Sequence, residues 1–150
     1  MSKKQELKDL ISKADTLTPD QEAAWGKMTP QHMIEHLAMT FSISSKKSNI
    51  QIYTPENKLP AMKAFLMSDA PIPRNTVSPA VGEDLLPLKY DSLDMAVAHL
   101  NKNVSAFFKF FEADPEAKLT NPAFGDLSFD EWLQFHKKHV THHFTQFNLI

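Results

Sequence analysis

The sequence predicts an all-α protein, a four-helix bundle with a long proline-rich crossing loop. Three observations predict it. Only 3 Gly stand against 7 Met and 11 Phe, a composition that favours helices over tight-turned sheets. Four long stretches carry apolar residues at the helical period, and none alternates as a half-buried strand does. Four of the 10 Pro, at positions 71, 73, 79 and 87, fall in one segment and speak against a continuous helix or central strand there. A chain of 150 residues suits one domain, spanning 1–150, with a proper core.

The first helix is expected from about Ser2 to Ala14, with Leu7, Leu10, Ile11 and Ala14 at helical spacing. Thr18-Pro-Asp-Gln21 then reads as a new start, with Thr as N-cap, Pro at the first helical position and Gln three residues on. The short turn it opens carries Trp25. Thr29-Pro30 repeats the signal and opens the second main helix, Pro30 to Ile43, with Met33, Ile34, Leu37, Ala38 and Phe41 on one face. Residues 44–55 are polar and read as a loop, and Asn57 to Met67 as a short helix. Residues 69–87, with Arg74 and Gly82 among the prolines, form the crossing loop, placed as the lid or rim of a site. Asp91 to Ala113 is the third main helix, turning Leu93, Val97, Leu100, Val104, Phe107, Phe108 and Phe111 inward, and Asp114-Pro115 ends it. Asn121-Pro-Ala-Phe-Gly125 is turn chemistry. Ser128-Phe-Asp-Glu131 is a capping box that opens the last helix, which runs almost to Ile150.

Composition also excludes. A formal net charge of -2 gives no field for nucleic acid or an anionic membrane. With no Cys, there are no disulfides, thiolate nucleophiles or Cys-based metal sites. The charged N-terminus lacks the apolar stretch of a signal peptide, and no window approaches the ~20 apolar residues of a membrane span. A cytoplasmic protein is expected.

Six of the seven histidines fall in two runs: His32 and His36, then His136, His139, His142 and His143. On a helix at about 100° per residue, His136 shares a face with Phe129, Trp132, Val140 and Phe147. His143 falls inside that face, His139 on its flank, and His142 turns towards solvent. Four residues apart, His139 and His143 stack their rings on one helix, a spacing that suits two imidazoles converging on one divalent ion. A third ligand must come from another helix. His36, which borders the apolar stripe beside Thr40, is the candidate, because His32 points further outward. Three His leave an open position, the arrangement of a catalytic site. His136 is read as a pocket residue supporting the ligands. Gln146, on the flank of His139, is placed to orient that ring or line the pocket. His99, Trp25 and Trp132 are read as structural, Lys137-Lys138 as a solvated face, and no inward Glu beside the His pair suggests a peptidase.

Two of these patterns resemble signatures of one superfamily. His139-Val-Thr-His-His143-Phe-Thr-Gln146 resembles the His-x-x-His-His-x-x-Gln signature near the end of DinB/YfiT-like proteins. Trp25-Gly-Lys-Met-Thr-Pro-Gln-His-Met-Ile-Glu-His36-Leu-Ala resembles their other signature, a Trp followed by a helix carrying one His-Leu. Asn121-Pro-Ala-Phe-Gly-Asp-Leu-Ser-Phe-Asp-Glu-Trp132 resembles one branch of the group, except that Asn121 stands where relatives of that branch often have His. The resemblance implies a four-helix bundle with a three-His site for zinc or nickel, carried over by position to His36, His139 and His143. It further implies hydrolase or thiol-dependent transferase chemistry, with a low-molecular-weight thiol as a possible co-substrate and homodimers frequent.

The reading that results is a metal-dependent enzyme acting on a small molecule. The alternative is a module that binds or senses metal or a small ligand without turnover.

Overall fold

A computed structural model describes residues 2–74, 76 and 85–150. Side-chain caps set where its helices begin. Ser2, Thr29, Ser92 and Ser128 each accept a hydrogen bond from the backbone N–H three residues on, satisfying a donor that the first turn leaves free. They open α1 (Lys3–Ser12), α2 (Pro30–Ile43), α4 (Leu93–Ala113) and α5 (Phe129–Gln146). At Ser128 the capping box is complete, with Glu131 returning a bond to the Ser128 N–H. The shorter α3 (Leu59–Met67) follows a 3₁₀ turn at Glu56–Lys58, and α1 continues as a 3₁₀ turn over Lys13–Thr16. None of these helices is long and apolar enough to cross a membrane.

The described residues are therefore mostly helical, as the sequence predicts, but they include a hairpin that it does not. Strands β1 (Leu119–Asn121) and β2 (Gly125–Leu127) pair antiparallel, Leu119 opposite Leu127. Asn121 makes the turn. Its Oδ1 accepts from the N–H groups of Ala123 at 2.8 Å and Phe124 at 3.2 Å, an Asx arrangement that occupies the side chain in local structure. Gly125 follows at φ +83°, a conformation that costs glycine nothing. The hairpin buries Leu119 and Leu127, and the Leu119 carbonyl accepts from the indole of Trp132.

The Thr18 start does not hold either. Residues 19–29 form no helix, and the reason lies at the far end of the chain. The Ala24 N–H donates to the Gln146 carbonyl at 2.7 Å, and the Gln21 side chain donates to the Phe147 carbonyl. A backbone donor that a helix would direct four residues back, with a side-chain amide beside it, instead satisfies free carbonyls at the C-terminus of α5.

α2 packs along α4, while α1 and α3 pack on α5. Phe107 of α4 is the centre of the core, in contact with Phe41, Phe108, Phe111, Phe129 and the ring of His136. Burying each such ring contributes roughly 1.5–3 kcal/mol. Of the crossing loop, residues 69–74, 76 and 85–87 are described; Pro79 and Gly82 lie outside the described residues. Its C-terminal end is held to α2 by Glu35, whose carboxylate accepts from the N–H of Lys89 at 2.7 Å and of Tyr90 at 3.4 Å. Burial acts to raise the Glu35 carboxyl, but hydrogen bonds from Lys89, Gln31 and Tyr90 outweigh it and hold the group below its ordinary value.

Candidate metal centre

Three imidazoles meet where α2 approaches α5. His36 comes from the second turn of α2, on the flank of the buried stripe Met33–Ile34–Leu37–Phe41; His139 and His143 come from successive turns of α5. Their ring centroids lie 4.9, 5.0 and 4.8 Å apart, and each pair is edge-on at 73–78°. The Nε2 atom of His139 sits 3.0 Å from that of His36 and 3.2 Å from that of His143. The three ligand atoms lie within 4.8 Å of one another, so the cluster could hold a metal ion.

The chemistry of this donor set fits a cation better than a proton. An imidazole nitrogen offers one in-plane direction, for either an N–H or a lone pair. His139 Nε2 faces two other nitrogens, and one proton can bridge it to only one of them. A cation among the three rings engages all three lone pairs. Tetrahedral bonds of ~2.0–2.1 Å require donor atoms about 3.3–3.4 Å apart. The two separations given above differ from that by a few tenths of an ångström.

Electrostatics point the same way. Burial pushes the His36 imidazolium down to about 4, with His142 adding to the effect. Burial first and then the His36 charge push His143 down to about 3, against a smaller opposing effect of the Gln146 hydrogen bond. Burial also depresses His139 well below the ordinary histidine value, with His143 and His36 contributing. All three rings are neutral at pH 7, the form that ligates metal. His139 and His143 are 9% and 7% exposed, while His36 is half-buried at the edge of the cluster.

Support around the cluster is uneven. His143 Nδ1 lies 2.8 Å from Gln146 Oε1, so Gln146 orients His143 rather than His139. His36 Nδ1 and His139 Nδ1 are buried with no hydrogen-bond partner among the described residues. Thr40 turns its hydroxyl onto the Leu37 carbonyl of its own helix, at 2.8 Å. His136 is fully buried, stacked on Phe41 at 3.7 Å between centroids, and its Nε2 pairs with Ser44 Oγ at 2.8 Å. Neither Thr40 nor His136 has a hydrogen bond to the three rings. The Ser44 partnership has no sequence signal, since the two residues are 92 positions apart.

Other residues depart from expectation. Trp25 is half-buried rather than a core anchor; the Arg74 guanidinium lies over its ring at 4.3 Å and the His142 ring stands 5.5 Å away. His142 is also half-buried, and burial lowers its imidazolium against a smaller opposing effect of the Ile72 backbone. Lys138 is no solvated lysine. Its ammonium donates to the carbonyls of Ser68 and Ala70 and sits 4.6 Å from the Phe65 ring centroid. Together, Trp25, residues 68–74 and the outer face of α5 around Lys138, Thr141, His142 and Thr145 line an open pocket of about 440 Å³. His99 contacts Tyr90 and Asn103, away from the cluster, in keeping with a structural role.

Comparison with protein-family models, with curated proteins and with solved structures gives no match.

Proposed function

We propose that this chain is a four-helix bundle of the DinB/YfiT-like type that holds one divalent ion, zinc or nickel, and acts on a small molecule as a hydrolase or thiol-dependent transferase. The convergence of His36, His139 and His143 Nε2 atoms, at 3.0 and 3.2 Å, is the observation that carries this reading. The two sequence signatures that resemble the superfamily supply those same three residues. An ion held there supplies Lewis acidity, which polarises an electrophile, activates water or holds a small thiol as thiolate. Three protein ligands would leave a position for substrate.

A second reading, a metal- or ligand-binding module without turnover, is favoured by the burial of His139 and His143. Elemental analysis of protein purified without a nickel column tests the metal in both readings. About one ion per chain is expected in the wild type, and a small fraction of that in His143→Ala. Equal metal content in the two proteins would remove His143 from the ligand set. Hydrolysis or thiol-transfer assays of the loaded protein, compared with His36→Ala, then separate enzyme from binder.

A further inference from the structure

Gly26 and the Trp25 carbonyl lie on an irregular loop outside α5, yet they set the chemical form of one ring inside the cluster. Trp25 offers Gln146 only an acceptor, its carbonyl oxygen, at 2.9 Å from Gln146 Nε2. The amide NH₂ of Gln146 must therefore face Trp25, which turns Oε1 towards His143 Nδ1, 2.8 Å away. An amide oxygen can only accept, so His143 carries its proton on Nδ1. Its Nε2 lone pair is then free and directed at His139 Nε2, 3.2 Å away. Any reversal of the amide would place NH₂ against His143 and force the proton onto the nitrogen that faces the cluster.

The loop is built to permit this contact. The Ala24 N–H donates to the Gln146 carbonyl at 2.7 Å, so the same residue is held through its backbone and its side chain. Gly26 adopts φ +82°, and a Cβ there would stand 2.9 Å from Gln146 Nε2. The atom it would meet is the far end of a flexible side chain, which can move aside; the strain of φ +82° on a side-chain-bearing residue comes in addition. Moving it, however, breaks the bond to Trp25 and releases the amide.

We infer that Gly26 and the Trp25 carbonyl are positioning residues for the centre, acting through Gln146 to hold His143 as the Nδ1–H tautomer. This inference rests on the metal reading above. It also gives physical content to the Trp25-Gly26 pair that precedes α2: the pair reaches the centre through α5. Because Gln146 is a neutral acceptor, it fixes the proton on His143 without adding charge, and a carboxylate in its place would bind that proton more strongly.

The test reads the tautomer and the metal separately. Nitrogen-15 NMR of the metal-free protein at pH 8 reports which His143 nitrogen is protonated, and competition with a chelator gives the zinc affinity. Wild type is expected to show Nδ1 protonated. Gln146→Leu should show mixed tautomers and zinc binding about 10- to 100-fold weaker. Gln146→Glu, which keeps an acceptor for His143 but loses the donor to the Trp25 carbonyl, should still show the Nδ1–H form. Gly26→Ala should move in the direction of Gln146→Leu. Gly125→Ala is the control, since Gly125 has a matching φ of +83° but its Cβ would meet only Leu59 and Ile52 side chains at 3.7 Å and beyond. It should change neither readout. A wild type that binds zinc, with tautomer and affinity unmoved in Gln146→Leu and Gly26→Ala, overturns the inference alone. A wild type that binds no zinc overturns it together with the metal reading.

Discussion

His36 Nε2 and His139 Nε2 lie 3.0 Å apart although 103 positions separate them in the chain. Nothing local brings them together; the meeting depends on α2 packing along α4 while its flank touches α5. The site is thus a property of the assembled core. Alterations to α5 alone divide cleanly into those that face the cluster and those that do not.

His142 provides that division. Its ring lies 5.0 Å from that of His143 and 5.5 Å from that of Trp25, but it is not among the three imidazoles whose ligand atoms converge. Changing His142 to Ala is expected to leave metal content within about twofold of wild type, whereas changing His139 to Ala should lower it about 10-fold or more. Elemental analysis on the two variants checks this, and equal loss would place His142 in the ligand set.

Buried His136 depends on one partner. Ser44→Ala leaves a wholly buried imidazole with neither nitrogen bonded among the described residues, where its Nδ1 already lacks a partner. The expected loss is about 1–3 kcal/mol in urea denaturation, with metal content unchanged. A stability within 0.5 kcal/mol of wild type, on the order of measurement scatter, would show that the pair contributes little.

The pH dependence of the metal-free protein follows in sign from the depressed histidines. Burial, with mutual repulsion at the cluster, holds His36 at about 4 and His143 at about 3, and depresses His136 and His139 as well. In the unfolded chain these groups titrate near 6.5, so below that pH the unfolded state binds more protons. Stability is therefore full above about pH 6.5 and lost as pH falls towards the folded values, by up to about 1.4 kcal/mol per pH unit for each such group. Urea midpoints at pH 7.5, 6 and 5 measure it; a midpoint that rises on acidification contradicts the assignment.

Glu35 ties the chain beyond the proline-rich segment to α2. Glu35→Ala removes the acceptor of the Lys89 and Tyr90 N–H groups, which should raise amide exchange at both and speed trypsin cleavage after Lys89 several-fold. Unchanged protection would mean that Gln31, which donates to the Tyr90 carbonyl, suffices to hold the segment.

Much of this was legible where a local signal coincides with packing. Thr29-Pro30 and the Ser128 capping box mark two helix starts that the structure places at the same residues. The helical phase of α5 puts His136, His139, Val140 and His143 inside because one stripe of apolar residues dominates it. The hairpin was not legible: three-residue strands are too short to display alternation, and Asn121-to-Gly125 reads equally as any turn. Thr18 misled because the Ala24 N–H and the Gln21 side chain are claimed by the end of α5. Trp25, Lys138 and Ser44 have roles set by partners more than forty positions away, which periodicity does not reveal.

A crystal structure of zinc-loaded protein, with anomalous scattering at the zinc edge, tests the central claim most directly. The expected result is one peak within about 2.0–2.1 Å of Nε2 of His36, His139 and His143, the ordinary zinc–imidazole distance. A peak elsewhere, or three rings in mutual hydrogen bonds with no ion among them, would contradict it.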